Sequence, residues 1–304
     1  MEYQKIIDDL HLKYKNAVNK GKVASYIPEL KKVPADKFGI NLYSLKDQSF
    51  GIGDYKTKFS IQSIAKVFAL TLALKKVKTN LWQRVGVEPS GNPFNSLVQL
   101  EFENGIPRNP FINSGALVIC DVLIGELSNP KKELLTFVRK LANTDQIDFN
   151  KKIVSSEKEH GYTNVAHVNL MKSFGNIHNE IEDVLDLYYH MCSIEMTCEE
   201  LSKSFLLFAN DGKLPWNNKQ IVSLGVSKRI NAMMITCGFY DEAGQFAFKI
   251  GLPGKSGVGG GIVAVNPDLY CITIWSPKLN KKGNSYLGMK VLEEFTTIAE
   301  DSIF

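Results

Sequence analysis

Lys255-Ser256-Gly257-Val258-Gly259-Gly260-Gly261 runs into Ile262-Val263-Ala264-Val265, then Asn266-Pro267-Asp268, then Leu269-Tyr270-Cys271-Ile272-Thr273-Ile274-Trp275. β-Branched and aromatic residues fill both arms around a turn sequence, so the stretch reads as a hairpin. A second hairpin is expected near the other end, where Phe38-Gly39-Ile40-Asn41-Leu42-Tyr43-Ser44 and Gln48-Ser49-Phe50-Gly51-Ile52 flank Leu45-Lys46-Asp47. Between them apolar residues take helical spacing over 114–127, 131–142, 165–174, 181–193 and 198–210, with Gly, Pro or Asn stops. An amphipathic helix is expected from Tyr3 to near Gly21, a short one carrying Tyr26 ahead of Pro28, and a terminal helix from Tyr286 onward. Strands toward both ends with helices between them predict an α+β fold, one antiparallel sheet built from both chain ends plus an inserted all-helical lobe. Residues 1–304 are then one unit, with 1–70 and 222–304 in the sheet-containing lobe and 71–221 in the helical lobe. The cleft between lobes is where a site is expected.

Upstream of the helical region, Ser63-Ile64-Ala65-Lys66 pairs a hydroxyl with an amine one helical turn later. A serine hydroxyl is a poor nucleophile until a base takes its proton. The following Val67-Phe68-Ala69-Leu70-Thr71-Leu72-Ala73-Leu74 implies a buried helix, and burial lowers a lysine pKa toward the neutral amine that a base must be. The spacing alone is common: Ser128-Asn129-Pro130-Lys131 and Ser155-Ser156-Glu157-Lys158 share it. Ser128 starts a loop-to-helix junction and Ser155 lies in a polar run without an apolar helix behind it. Only Ser63 follows a strand-like stretch and opens a buried helix.

The Lys255-Ser256-Gly257 triplet supplies a second half. In serine acyl-transfer enzymes with a Ser-x-x-Lys nucleophile, a Lys-Thr/Ser-Gly triplet on an edge strand faces the serine. Its glycines let backbone approach a reacting carbonyl, and the N–H groups of Val258 and Ser63 can form an oxyanion hole. A nucleotide-binding loop at Gly254-Lys255-Ser256 is the rival reading. It fails because Lys249 stands where the first glycine belongs and a strand follows where a helix is required.

Composition narrows the class. The chain has 304 residues, 44% hydrophobic and 22% charged, with a formal charge of +4. Its lysines fall in scattered pairs such as Lys31-Lys32, Lys75-Lys76 and Lys281-Lys282, so no nucleic-acid stripe is expected. Five cysteines without a CxxC spacing make neither a disulfide framework nor a zinc site, and no cofactor or metal is expected. The N-terminal Met1 to Leu10 lacks a signal-peptide core and no run reaches spanning length, so a cytoplasmic protein without membrane contact is expected.

Together with these motifs, several blocks carry a family resemblance. They are Tyr26-Ile27-Pro28-Glu29-Leu30, Phe59 through Lys66, Asn109-Pro110-Phe111-Ile112-Asn113-Ser114-Gly115-Ala116, Ser156-Glu157 with Asn164, and Tyr188 before Cys192-Ser193-Ile194-Glu195. Cys237-Gly238-Phe239-Tyr240-Asp241 with Gly244-Gln245-Phe246-Ala247, and Leu252 through Gly261, complete them. The chain resembles the serine-dependent glutaminases, the branch of the β-lactamase and penicillin-binding-protein superfamily that hydrolyses L-glutamine to L-glutamate and ammonia. The resemblance implies Ser63 as nucleophile and Lys66 as its base. It implies that Tyr26, Gln62, Asn113, Glu157, Asn164, Tyr188 and Tyr240 line the glutamine pocket, and that Val258 gives the second oxyanion N–H. Chemistry fits these roles: Glu157 suits an ammonium, Asn113, Asn164 and Tyr188 suit a carboxylate, and Tyr240 can relay a proton to departing ammonia. A homodimer or homotetramer is expected from the same resemblance.

Taken singly, Tyr26, Asn113 and Tyr188 would more often be a packed ring, a helix cap and a core aromatic, and Glu157 a solvent-facing acid. The Ser-Asp-Asn element of class A β-lactamases is absent, and no acid is placed as their deacylation base. Two alternatives carry other predictions. A different serine amidase or peptidase of the superfamily needs room for a longer acyl group, and a non-catalytic glutamine sensor would show an altered Ser63 or Lys66.

Overall fold

The computed structural model describes residues 2–91 and 95–304. Helix α1 (Tyr3–Lys15) buries Ile7, Leu10 and His11 and stops short of Gly21, because Val18, the last apolar position of the expected helix, is exposed. After the short strand β1 (Lys22–Val23), α2 (Pro28–Lys31) begins at its proline. Pro lacks an N–H and suits the first helical position, so Tyr26 lies in the bend ahead of α2 and not on a helix, a correction to the expectation.

The hairpin β2 (Gly39–Ser44) and β3 (Ser49–Gly53) forms where expected. Strand β4 (Phe59–Ser60) leads through a 3-10 turn at Gln62–Ile64 into α3 (Ala65–Val77), whose residues 65–74 are all buried. Next come α4 (Leu97–Phe102), α5 (Asn113–Glu126), α6 (Pro130–Ala142), β5 (Asp148–Phe149), α7 (Lys151–His160), α8 (Tyr162–Ser173) and α9 (Ile181–Cys192). Strand β6 (Ile194–Met196), α10 (Cys198–Ala209), α11 (Leu224–Cys237) and α12 (Ala243–Ile250) precede β7 (Gly254–Ser256), β8 (Gly261–Asn266), β9 (Tyr270–Trp275), β10 (Lys278–Leu279) and α13 (Tyr286–Ala299).

Three features depart from the sequence reading. The inserted region is not all helical, since β5 and β6 join β4 in a three-stranded sheet of order β4-β6-β5. Strands of two or three residues carry no periodicity to read. The Ser155–Lys158 run is helical: Asn150 caps α7 by accepting from the N–H groups of Lys152 and Ile153, and Ile153, Val154, Ser156 and Glu157 turn inward. Helices α11 and α12 also stand in a stretch without an assigned element.

The principal sheet has order β3-β2-β9-β8-β7, antiparallel throughout, and draws strands from both ends of the chain as expected. Strands β2, β8 and β9 are buried along their whole length, because both faces are covered. Ile262, Ala264, Ile272 and Ile274 pack with α1, α12 and α13, while Val263, Val265, Cys271 and Trp275 point into the larger core beneath α10. That core continues among α3, α5, α6 and α9. The short β1–β10 ribbon pairs Lys22 with Leu279 and Val23 with Lys278, tying the segment before Tyr26 to the C-terminal region. Among the described residues no helix is long and apolar enough to cross a membrane.

Candidate active site

Ser63 sits at the junction of both sheets and α3. Ser60 pairs with Glu195 across β4–β6, and the Ile61 N–H donates to Ile194 O at 2.9 Å. The chain then turns through Gln62 with φ +49°, a left-handed conformation that a residue with a side chain rarely adopts. Such positions persist where the surroundings over-determine them, and here they do. The edge strand β7 and its glycines press on this turn: a Cβ at Gly257 would collide with Ile61 O, and one at Gly259 with Ser60 O. Trp275 Nε1 donates to Gly259 O at 3.0 Å, and its ring stacks on Phe59 of β4 at 4.8 Å. Backbone contact between 257–259 and 60–61 therefore needs glycine and brings Val258 to the Ser63 turn.

Lys66, in the first turn of α3, is buried, and Nζ donates to Phe111 O at 3.1 Å and Asn113 Oδ1 at 2.8 Å. Burial pushes its pKa down to about 8, against a weaker pull upward from Glu157. Asn113 in turn donates from Nδ2 to Asn164 Oδ1 at 3.1 Å, which fixes both amides. The rings of Tyr188 and Tyr240 each lie 5.8 Å from Lys66 Nζ. Burial holds the Tyr240 phenol well above the usual value, with Ser63 beside it pulling weakly the other way. Ser63 thus has a phenol as its neighbour, while the amine bonds to Phe111 O and Asn113 Oδ1.

A second buried lysine completes the cluster. Lys255 Nζ donates to Ser256 O at 2.6 Å and lies 4.2 Å from the centre of the Tyr240 ring. Burial, then repulsion by Lys66, holds its ammonium well below the usual lysine value. Two amines bracket one phenol, and both are shifted toward the neutral form.

Ser63 opens onto a cavity of about 370 Å³. Tyr26, Gln62, Asn113, Glu157, Asn164, Tyr188 and Val258 line it together with Ser63, whereas Tyr240, expected in the wall, stands behind Ser63 outside that lining. Glu157 is 4% exposed, and burial raises its carboxyl to about 7 despite a hydrogen bond from Gln62 and attraction to Lys66. Tyr26, 55% exposed, forms the outer wall with Val258. A larger groove of about 800 Å³ lies beyond these two residues, edged by Lys20, Lys22, Lys281 and Lys282, but it does not contain the serine. The smaller cavity, with a hydroxyl, a buried carboxyl and paired amides, one of them bonded to Lys66 behind the wall, is the candidate active site. Among the described residues no group of three or more His, Cys, Asp or Glu is arranged to hold a metal.

A family model described as glutaminase matches residues 21–304. The chain belongs to the glutaminase family of hydrolytic enzymes. It is 54% identical to a glutaminase of Christiangramia forsetii over 306 residues, covering 100% of both chains. A glutaminase of Saccharophagus degradans is also 54% identical, over 100% of this chain and 99% of that one. Among solved structures, a probable glutaminase superposes with a TM-score of 0.94 at 30% identity, covering 99% of this chain and 98% of its own. Another, a probable glutaminase from Bacillus subtilis complexed with 6-diazo-5-oxo-L-norleucine, gives a TM-score of 0.87 at 30% identity over 98% and 96% of the two chains.

For a glutaminase cavity, the wall also includes residues that sequence reasoning missed: Ile27, Asn95, His160, Gly161 and Thr163. His160 and Gly161 stand three and four positions after Glu157, one turn along α7 and its end. Reading 151–160 as a helix would have placed them beside Glu157. The buried state of Lys255 had a signal too, since it sits in the triplet already singled out. Cys192 is buried nearby, and burial pushes its thiol up to about 12, away from the thiolate that a nucleophile needs.

Proposed function

We propose that the enzyme hydrolyses the side-chain amide of L-glutamine to L-glutamate and ammonia through an acyl-enzyme on Ser63. The observation that carries this reading is the single cavity that holds Ser63, beside a lysine lowered to about 8, together with a buried carboxyl and two ordered asparagines. Ser63 Oγ adds to the amide carbon and Lys66 takes its proton. The oxyanion is held by the N–H groups of Ser63 and Val258. Tyr240, beside Ser63, passes a proton to the amine as the C–N bond breaks and ammonia leaves. The proton on Lys66 then returns to Tyr240; water adds to the ester carbon, and its proton passes to Ser63 Oγ as the ester bond breaks and glutamate departs.

Glu157 binds the α-ammonium of the substrate, which supplies the charge partner that the buried carboxyl otherwise lacks. Asn164, with Nδ2 still available after accepting from Asn113, and Tyr188 hold the α-carboxylate; Gln62 orients Glu157, and Tyr26 closes the outer wall. The ligand of the Bacillus subtilis relative, an amino acid with a reactive ketone along its side chain, suits this division of the pocket into a charged end and a reacting end. The edge strand bearing Lys255-Ser256-Gly257 against the Ser63–Lys66 turn supports membership of the β-lactamase and penicillin-binding-protein superfamily and a cleft between a sheet-containing and a helical lobe.

Ser63→Ala is the direct test. Ammonia release from L-glutamine should fall below about one per cent of wild type, a loss on the order of that for other removed nucleophiles, while calorimetry still detects glutamine binding. Turnover above a few per cent removes Ser63 as the nucleophile.

A further inference from the structure

Tyr240 is held in place from outside the cavity. It has φ +56°, in the left-handed region, and begins a 3-10 turn, Tyr240–Glu242, in which the side chains at 241 and 242 are bonded to one neighbouring loop. Lys282 pairs with Asp241. Asn280 Nδ2 donates to Glu242 Oε1 at 3.1 Å and Oε2 at 2.9 Å, and Asn284 Nδ2 donates to Oε2 at 2.6 Å. Charged acceptors strengthen such bonds, and here two amides share one carboxylate.

The loop that holds Glu242 is itself tightly tied. The N–H of Asn280 donates to Asn284 O at 2.7 Å, while the N–H groups of Lys282 and Asn284 donate to Asn280 Oδ1 at 2.9 and 3.1 Å. Its ends are anchored by β10 on one side and by Ser285, which donates to Ser276 O at 2.7 Å and caps α13, on the other. Asn284 is fully buried, and its Oδ1 has no hydrogen-bond partner among the described residues, so the bond to Glu242 is what orients its side chain. None of Glu242, Asn280 and Asn284 lines the cavity that contains Ser63.

We propose that Glu242, held by Asn280 and Asn284, is the positioning residue that keeps Tyr240 in its left-handed turn with the phenol on Ser63. It touches neither substrate nor reacting atoms and acts through the Tyr240 backbone. Proton transfer is sensitive to sub-ångström placement, so loosening this turn slows chemistry more than binding. The inference rests on the proton-donor role given to Tyr240 above.

The test is a double-mutant cycle on the full chain with L-glutamine, comparing wild type, Tyr240→Phe, Glu242→Ala and the double variant. Glu242→Ala should lower kcat by about ten- to a hundredfold with KM changed by less than about threefold, as expected for lost placement of a reacting group. In the double variant the kcat should match that of Tyr240→Phe, because Glu242 has nothing left to position. Should Glu242→Ala fail to fold, the isosteric Glu242→Gln takes its place with a loss of about three- to tenfold. Wild-type activity in Tyr240→Phe would remove the proton-donor role and this proposal with it. A slow Tyr240→Phe beside an unimpaired Glu242 variant, or losses that multiply in the double variant, would overturn the positioning role alone.

Discussion

Glu157→Gln separates binding from stability, because the two should move in opposite directions. In the unliganded protein the carboxyl is buried, and its pKa stands at about 7 against a usual 4.5. A raised carboxyl pKa means that the folded state resists ionisation, so stability falls as pH climbs through that window and the full penalty is present above it. At ~1.4 kcal/mol per pKa unit the penalty reaches about 3 kcal/mol at pH 8. Glutamine carries no charge and can still accept from Gln62, so the variant should melt up to about 5 °C higher at pH 8, given an unfolding entropy of roughly 2.1 cal/mol/K per residue. The gain should shrink as pH drops through 7 toward 4.5 and close below it, where both states are protonated. Kinetics should go the other way. A hydrogen bond to a charged group is worth roughly 1.5–3 kcal/mol, so kcat/KM for L-glutamine should fall about ten- to a hundredfold. Glutaramic acid, the same amide without the amine, offers Glu157 no partner, and its slow hydrolysis should be unchanged or slightly faster. Calorimetric melting at two pH values and ammonia release from both substrates measure all of this. A lower melting temperature with both substrates slowed equally would refute the reasoning and make Glu157 structural.

Lys66→Arg should be as damaging as Lys66→Ala, to within about fivefold, since a guanidinium stays protonated at any workable pH; an active Arg variant would mean that position 66 supplies only positive charge. In the wild type kcat/KM should rise with pH through about 8, where Lys66 loses its proton, and ionisation of Glu157 near 7 acts in the same direction; a flat profile from pH 6 to 9 would exclude a neutral Lys66 as base. Gly259→Ala forces a Cβ onto Ser60 O and should cost roughly 1–3 kcal/mol in denaturant unfolding together with most activity. Gly244→Ala, in α12 with open space around it, should instead stabilise by roughly 0.5–1 kcal/mol and leave turnover intact.

Local pattern carried the larger elements. The hairpins at 39–53 and 261–275 and the buried helix after Ser63 have composition and periodicity that only one local structure satisfies. Helix α11 went unassigned although Ile230, Met233, Met234 and Cys237 are buried at helical spacing. Other elements carry no such pattern. Strands β4, β5 and β6 are too short for alternation to appear and exist because three distant segments meet. Helix α7 has its inward face made partly of Ser156 and Glu157, which no hydrophobic pattern distinguishes from a solvated run.

The sequence by itself determined which residues were available: the Ser63–Lys66 pair one turn apart, the Lys255-Ser256-Gly257 triplet running into glycines, and the chemistry-bearing side chains at Glu157, Asn113, Asn164, Tyr188 and Tyr240. Only the tertiary structure decided their state. That Ser63 stands beside Tyr240 while Lys66 bonds to Phe111 O and Asn113, and that Lys255 joins Lys66 around one phenol, follows from α3, α5 and β7 converging from separate parts of the chain. Burial sets the ionisation of Lys66 and Glu157, and burial is a property of everything packed around a group. The left-handed turns at Gln62 and Tyr240 are likewise written in no local propensity, because they persist only where distant contacts hold them.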